Sequence, residues 1–532
     1  MKDYEHPVNF AEEGGASERG TPATTIPLLL QRCAETHGDM PALRVERERE
    51  TGVCPGAAAF AARSLTPGNA PGAMPYGNRD GRAGDEWTTW TYRQYYDESA
   101  SIAKAFMRAG VEQFDAVAIF GFNSPEWVMA SQACFMTGAK TAGIYPTDTP
   151  EQIAYKCNHS GSKAIVLEDK HCLDKYATVA DQVKGVRTIV IWNPVGENRT
   201  ELPGGQRVVS WDQFKIEGEN SSEDLEGRMA RIRPGHCCAL IYTSGTTGMP
   251  KAVMVSHDNI YFEANTVMNL ISDVVGNGQD IDGNVCHEER LISYLPLSHV
   301  AGMMVDIICP VALTANPKNG SYTSVAFARP YDLKIGTLKN TLQAVQPTMF
   351  IGVPRVWEKI SETMKAIGAS ITGAKKKVST WGKAKGTAHW ENMEMGGTGE
   401  YPCCYGLASK LIHSKVKANL GLDKCKFGFT GAAPIMVDTL EYFGQLGIQI
   451  NEVYGMSECT GAVTWSTDQA HKWGSCGFAM PGMECVVMDM EGNIVPPAKD
   501  PKHPTEAEQG ELCYRGRNVM MGTKFGLELR EI

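Results

Sequence analysis

The feature that most constrains the fold is an alternation of short apolar strands with helices in the first half of the chain. Apolar runs at 116–121, 141–145 and 164–167 predict strands, and helices are predicted between them, beginning after a cap at Ser124 and again at Pro150. Parallel strands need crossovers of this kind, because a tight hairpin cannot join them. The pattern therefore predicts an α/β fold in which helices cover a mostly parallel sheet.

A loop between two further apolar strands carries the residues best suited to hold phosphate. The sequence from position 241 reads I-Y-T-S-G-T-T-G-M-P-K. Glycine permits positive φ, backbone N–H groups and hydroxyls can approach phosphate oxygens, and a lysine adds a point charge. The spacing is not that of a Walker A loop, and no helix signal follows directly. The candidate phosphate-binding residues are Thr243, Ser244, Gly245, Thr246, Thr247, Gly248 and Lys251.

The longer string Y-T-S-G-T-T-G-x-P-K resembles the phosphate loop of adenylate-forming enzymes, whereas a bare S-G-T-T-G fits an ordinary polar hairpin equally well. A second string, Y-G-M-S-E, matches a signature of the same superfamily. The resemblance implies that Tyr454 and Gly455 contact adenine and that Ser457 binds the α-phosphate. It also implies that Glu458 holds Mg²⁺, with Thr246 as a second candidate ligand, since Mg²⁺ prefers carboxylate, phosphate and water oxygens. The competing interpretation of this string is a surface turn with a solvated glutamate.

Two weaker motifs lie between these strings. Y-L-P-L-S-H ends at His299 and resembles a string that supplies an imidazole beside the substrate carboxylate in acyl-CoA synthetases, although a lone histidine is more often structural. The G-A-A-P turn resembles one that lies against adenine and the substrate carboxylate in this superfamily. Its candidate residues are Gly431, Ala432 and Ala433. The order of all four motifs supports the resemblance, which implies Lys251, His299 and Glu458 as catalytic residues.

Within the superfamily, the chain resembles the bubblegum-type long-chain acyl-CoA synthetases most closely. The strings W-T-Y-R-Q-Y-Y at 90–96 and V-A-I-F-G-F-N-S-P-E-W at 117–127 carry this likeness. The resemblance implies a large N-terminal adenylate-forming domain over 25–523. Its helix-covered, mostly parallel sheets would be joined by a small distorted β-barrel-like subdomain. The block at 351–359, I-G-V-P-R-V-W-E-K, also resembles this family, but its valines are interpreted as core packing.

Three segments are predicted to depart from this domain. Residues 1–24 are expected to be disordered, 51–85 to form a Gly/Ala/Pro-rich insertion, and 524–532 to be a divergent tail. The family continues through an S/T-G-D motif and a hinge to a C-terminal lid that carries a further catalytic lysine. Neither S-G-D nor G-R-x-K-E occurs downstream of Gly516, so the lid domain is expected to be absent.

The resemblance implies a two-step reaction with ATP, Mg²⁺ and coenzyme A. A long-chain fatty carboxylate would attack the α-phosphate of ATP, and the thiolate of coenzyme A would then displace AMP. Two alternatives stay open: a non-catalytic chain that binds ATP and fatty acid, and an adenylate-forming enzyme for an aryl or amino acid.

Composition limits the partners. The formal charge of −10 argues against a nucleic-acid-binding surface, and the three lysines at 375–377 are interpreted as a solvated helix face. Sixteen scattered cysteines fit reduced thiols in the cytoplasm. No apolar run reaches the ~18 residues of a transmembrane helix. The expectation is a cytoplasmic protein that is free to contact the endoplasmic reticulum or another membrane peripherally.

Overall fold

The computed structural model describes residues 22–47, 87–243, 249–271, 288–316, 321–496, 498 and 505–524. The predicted insertion at 51–85 lies outside the described residues. So do most of the predicted disordered N-terminus and all of the predicted tail after Lys524. These three assignments therefore stay predictions.

The strands are numbered along the chain. They are β1 Pro41–Glu46, β2 Trp87–Thr91, β3 Ala116–Phe120, β4 Lys140–Ile144, β5 Ser162–Asp169, β6 Thr188–Asn193, β7 Arg207–Ser210, β8 Cys237–Thr243, β9 Lys251–Ser256, β10 Glu288–Ser293, β11 Tyr322–Phe327, β12 Met349–Ile351, β13 Phe427–Thr430, β14 Ile450–Met456, β15 Gly461–Trp465, β16 Phe478–Ala479, β17 Glu484–Met488, β18 Glu511–Arg515 and β19 Gly522–Lys524.

The helices are numbered in the same way. They are α1 Ile26–Thr36, α2 Tyr92–Arg108, α3 Pro125–Thr137, α4 Pro150–Ser160, α5 Lys170–Ala177, α6 Trp211–Glu219, α7 Leu225–Met229, α8 His257–Leu270, α9 Val300–Gly302, α10 Cys309–Ala315, α11 Asp332–Ile335, α12 Leu338–Val345, α13 Pro354–Ala369, α14 Gly373–Met393, α15 Tyr405–Ala408, α16 Ser414–Leu420 and α17 Val437–Gly444. A π-helical turn, Met303–Ile308, joins α9 to α10, and another, Ser409–His413, joins α15 to α16.

The largest sheet confirms the predicted parallel architecture. Its strand order is β19-β9-β8-β4-β3-β5-β6-β7, and the strands from β8 to β7 in that order are mutually parallel. At one edge, β9 is antiparallel to both of its neighbours, β8 and β19, so β9 alone runs against the other strands of this sheet. Strand β3 is buried along its whole length, as expected for a strand that helices cover on both faces.

Local sequence signals fix the crossover helices. The Ser124 side chain accepts the backbone N–H of Trp127 and caps α3, and Gly138 ends that helix in the left-handed region at φ 73°. Every residue of α3 is buried, because the helix lies between the large sheet and further helices. The predicted strands and helices of this region are confirmed, with ends that differ by a few residues.

Three smaller sheets complete the described part of the fold. Their strand orders are β10-β11-β1-β2, β12-β13-β14-β15-β16 and β17-β18. The predicted α/β class is confirmed. The expected β-barrel-like subdomain is not a closed barrel, since each sheet within the described residues keeps two free edges. Among these residues, no helix combines the length and the apolar character needed to cross a bilayer.

Candidate active site

A β-hairpin positions the two ends of the predicted phosphate loop. Strands β8 and β9 are antiparallel, and their register sets Thr243 directly opposite Lys251. The loop residues Ser244, Gly245, Thr246, Thr247 and Gly248 lie outside the described residues. Tyr155 donates a hydrogen bond to the carbonyl of Pro250 at 3.0 Å, which holds the second end of the loop. Because it lies in extended β9 and is fully buried, Ala252 stands without strain where the superfamily usually has glycine.

The second pair of motifs follows two neighbouring parallel strands. The G-A-A-P turn comes directly after β13, and Y-G-M-S-E lies at the end of β14, so both occupy one edge of the same sheet. Ligands of α/β proteins commonly bind at this carboxyl edge. Ala432 has φ 69°, a left-handed conformation that L-residues other than Asn and Asp rarely adopt. A strained residue at such an edge is typical of a functional turn.

Gly455 lies where strands β14 and β15 approach each other very closely. A Cβ atom built on it would lie 1.7 Å from the carbonyl oxygen of Gly461, on the neighbouring strand β15. The pairing of β14 with β15 also shifts register between Tyr454 and Gly455. The glycine is therefore needed for two strands to approach, whatever it does toward a nucleotide. Tyr454 is exposed, and its ring centroid lies 6.4 Å from that of Tyr514.

A short 3-10 turn, Ser457–Cys459, presents the serine and the glutamate of the signature. The carbonyl of Glu458 accepts the backbone N–H of Met520 at 2.8 Å. The Thr460 hydroxyl donates to the carbonyl of Asn518 at 2.6 Å. These bonds fix the turn, while the half-buried carboxylate of Glu458 forms no ion pair with any described residue. A free carboxylate beside the Ser457 hydroxyl fits the oxygen ligands that Mg²⁺ prefers.

His299 is oriented by the helix it begins. It caps α9, where its Nδ1 accepts the backbone N–H of Ala301 at 3.1 Å. Burial lowers the pKa of His299. The ring is therefore neutral near pH 7, and Nε2 carries the proton because Nδ1 is an acceptor. Such an imidazole can donate one hydrogen bond to a carboxylate without adding a charge.

One cavity of about 380 Å³ brings most of these groups together. The predicted site residues in its lining are Thr243, His299, Gly431, Ala432, Gly455, Ser457 and Glu458. The rest of the lining is largely apolar and comes from α8, the helical turns around Met304, and strands β10, β12, β13, β14 and β15. Lys251, Ala433 and Tyr454 are not among its lining residues. A lining that combines polar motif residues with many apolar side chains suits an amphipathic ligand with a polar head.

Two buried acids near the cavity were not predicted from the sequence. Glu263 on α8 lines it, and its two carboxylate oxygens accept from the backbone N–H of Ala462 and the amide of Asn518, each at 2.8 Å. Burial raises the pKa of Glu263 to about 8. Asp306 lies in the π-helical turn and bonds Ser293, and burial raises its pKa to about 8. Its Oδ1 has no partner among the described residues. Mid-helix acids carry no motif, so no sequence signal marked them.

Comparison with known proteins assigns the family. The sequence profile described as "AMP-binding enzyme" matches residues 73–523, which is most of the chain. The chain belongs to the AMP-binding enzyme family. This membership agrees with the superfamily that the phosphate-loop and Y-G-M-S-E strings indicate.

The curated relatives are long-chain-fatty-acid--CoA ligases by name. The chain is 37% identical over 444 residues to "Long-chain-fatty-acid--CoA ligase ACSBG2" of Xenopus laevis, which covers 83% of this chain and 55% of the relative. It is 38% identical over 440 residues to the protein of the same name from Gallus gallus, covering 82% and 53%. It is 32% identical over 439 residues to "Long-chain-fatty-acid--CoA ligase ACSBG1" of Homo sapiens, covering 82% and 55%. The chain thus spans about half the length of these relatives.

Solved structures support the fold of this family. The anthranilate CoA ligase AuaEII, in complex with anthranoyl-AMP, matches with a TM-score of 0.62 at 15% identity, over 97% of this chain and 73% of that chain. A long-chain-fatty-acid-CoA ligase (FadD1) from Archaeoglobus fulgidus matches with a TM-score of 0.59 at 17% identity, over 94% and 77%. At these identities the likeness concerns the fold alone.

Proposed function

We propose that this protein is an AMP-forming long-chain fatty acid:CoA ligase. The observation that carries the proposal is the shared cavity, which Glu458, His299 and many apolar side chains line together. A fatty acid needs an apolar channel for its chain and a polar end for its carboxylate, and one continuous space offers both. The names of the curated relatives support the same substrate class. A largely apolar lining favours a fatty acid, which is apolar along its whole chain, over an amino acid.

The nucleotide end would be held by the residues around the hairpin and the sheet edge. The phosphate loop between Thr243 and Lys251 would cradle the phosphates, and the Ser457 hydroxyl would bond the α-phosphate. Gly431, Ala432 and Ala433 would lie against adenine, with Tyr454 stacked on it. Glu458 and Thr246 would hold Mg²⁺, and the bound ion would neutralise charge on the phosphate oxygens. Each role is carried over from the motif resemblance and the placement of the described residues.

The carboxylate end would be set by His299. Its Nε2–H would donate to one carboxylate oxygen and so aim the other at the α-phosphorus. That oxygen attacks the α-phosphorus, the bond to the β-phosphate bridging oxygen breaks, and pyrophosphate leaves. In the second step the thiol sulfur of coenzyme A loses its proton and attacks the acyl carbon, and AMP leaves. Lys251 and the loop amides would stabilise the charge that develops at phosphorus.

We also propose a cytoplasmic location with peripheral membrane contact. Long-chain fatty acids partition into membranes at about 0.8 kcal/mol per buried CH₂ group, so the substrate of the proposed reaction resides there. An enzyme that contacts the bilayer gains direct access to it.

The test is AMP formation from ATP by the purified 532-residue chain with palmitate and coenzyme A. We expect turnover that requires both co-substrates and that falls about 100-fold or more in Lys251→Ala, by analogy with loss of one transition-state donor. Lys163→Ala is the matched control, because this exposed lysine lies on β5, away from the motifs. Folded protein that binds ATP and palmitate without forming AMP would contradict catalysis by this chain and favour a binding role. Turnover with benzoate but not palmitate would contradict the substrate class.

A further inference from the structure

Two consecutive helices, joined by residues 370–372 and called here the helical hairpin, follow a strand that lines the cavity. It consists of α13, Pro354–Ala369, and α14, Gly373–Met393. Its base is firmly packed. Trp357 is fully buried, with its ring centroid 5.1 Å from that of Phe350 and 4.9 Å from that of Phe443. Gly382 on α14 packs against Ile412 so closely that a Cβ atom would clash.

The far end of this hairpin, residues 362–378, is named here the hairpin tip. All of its residues except Met364, Gly368 and Ile371 are exposed. Ile367 is 57% exposed and Val378 is 47% exposed, although large β-branched apolar residues are usually buried. The three lysines at 375–377 are exposed on the same tip. The tip therefore presents apolar and cationic side chains together, and intramolecular packing covers little of either.

The charge of this region is opposite to that of the whole chain. Residues 354–420 contain eleven Lys and Arg and five Glu, a formal charge of +6, in a chain whose formal charge is −10. The same region exposes Leu407 and Leu411, one helical turn apart, beside Lys410. Cations around exposed apolar side chains match an anionic lipid surface, which attracts lysine and accepts apolar groups at the headgroup boundary. A nucleic acid would match the charge but not the aliphatic side chains.

The hairpin also relates this surface to the cavity. Helix α13 begins directly after Val353, which lines the cavity, and runs for 16 residues to the tip. At 1.5 Å per residue the helix is about 24 Å long. Along this one continuous helix, the tip is therefore separated from Val353 by at most about 24 Å.

We propose that the hairpin tip docks this protein on anionic phospholipid bilayers, with Ile367 and Val378 entering the headgroup region and the lysines at 375–377 contacting lipid phosphates. The proposal locates the membrane contact on named residues. It depends on exposure and charge, and it stands whether or not the chain catalyses the proposed reaction.

Vesicle co-sedimentation of the full chain tests the electrostatic part. The probes are vesicles of phosphatidylcholine alone and vesicles of phosphatidylcholine with about 30% phosphatidylserine. The second kind represents an anionic cytoplasmic leaflet. We expect binding only to the anionic vesicles. The triple variant Lys375→Gln, Lys376→Gln, Lys377→Gln should weaken it about 100-fold, since each surface lysine contributes about fivefold. The matched control, Lys163→Gln with Lys184→Gln and Lys472→Gln, removes three exposed lysines elsewhere and should bind like the wild type.

The apolar part is tested by Ile367→Ser with Val378→Ser. Val195→Ser with Ile494→Ser is the control, because these residues are 57% and 68% exposed outside the hairpin. We expect weaker vesicle binding only in the tip variant, with unchanged melting temperatures and unchanged turnover on detergent-dispersed palmitate. Equal loss in tip and control variants would overturn the proposal. Equal binding of the wild type to both kinds of vesicle would also overturn it. The same holds if the lysines are needed for heparin binding while substitution of Ile367 and Val378 leaves vesicle binding unchanged. Absence of turnover in the wild type, with vesicle binding intact, would instead count against the proposed reaction.

Discussion

At the scale of single residues, the cavity wall holds groups whose local chemistry is unusual for their position. Glu263 is a buried carboxyl that accepts two hydrogen bonds and forms no ion pair with a lysine or arginine of the described part of the chain. Ala432 occupies a backbone conformation that suits glycine. Neither feature is visible in the sequence, because a glutamate in a helix and an alanine in a turn are both ordinary there. Each has a measurable effect on stability.

Glu263 should make stability fall as pH rises. Its folded pKa of about 8 lies above the usual carboxyl value, so between about pH 4.5 and 8 the folded chain keeps a proton that the unfolded chain has lost. We therefore expect Glu263→Gln to gain in melting temperature relative to the wild type as pH is raised from 5 to 8. Glu441→Gln, at an exposed site, is the control. If the difference in melting temperature between Glu263→Gln and the wild type stays constant from pH 5 to 8, Glu263 is not a neutral acid in the folded chain.

Ala432→Gly should stabilise the protein by about 1 kcal/mol, because the left-handed conformation costs an L-residue about that much. Ala433→Gly is the matched control one residue along the same turn, where φ is not positive. There the added chain entropy of glycine should destabilise by up to about 1 kcal/mol. Chemical denaturation of the three proteins gives the comparison. A change of the same sign in the unfolding free energy of both variants would contradict the strain assigned to Ala432.

At the scale of elements, the strand-ending motifs could be predicted from sequence and the spaces between elements could not. Strands and crossover helices follow from apolar runs, caps and glycines such as Ser124 and Gly138, which act locally. The cavity depends on α8, the π-helical turn and strands of three different sheets, which meet only in the folded chain. The lysines at 375–377 were interpreted as a solvated face, and only the structure shows Ile367 exposed on the same tip.

Gly455 tests how one element positions the site. Its Cβ would meet the Gly461 carbonyl, so Gly455→Ala must separate β14 from β15 and displace the turn that carries Glu458. We expect a loss of about 3 kcal/mol in the free energy of unfolding, at the upper end for overpacking. Gly204→Ala is the control, since a Cβ there meets no atom within 4 Å. Equal unfolding free energies for the two variants would show that the strands do not approach as described.

At the scale of the whole molecule, we propose that one cavity serves both the nucleotide motifs and an acyl chain. The large parallel sheet ends in the phosphate-loop hairpin, and the smaller β12–β16 sheet ends in the other two motifs. Among the described residues, Thr243 from the first sheet and residues of the other two motifs line one common space, whose remaining lining is largely apolar. The family and the fold could be recognised from the motifs, whereas this arrangement depends on how separate sheets pack.

The most direct test of that claim is the chain-length profile of fatty-acid-dependent ATP–pyrophosphate exchange, measured for the wild type and for Met304→Trp. Met304 lines the cavity, so an indole there should shorten the space for the acyl chain. We predict exchange with palmitate to fall at least about tenfold while exchange with octanoate is kept, a difference of about 1.4 kcal/mol in transition-state binding. The control Met436→Trp, at a side chain 64% exposed, should retain the wild-type profile. An unchanged profile in Met304→Trp, or no exchange with any fatty acid by the wild type, would contradict the account.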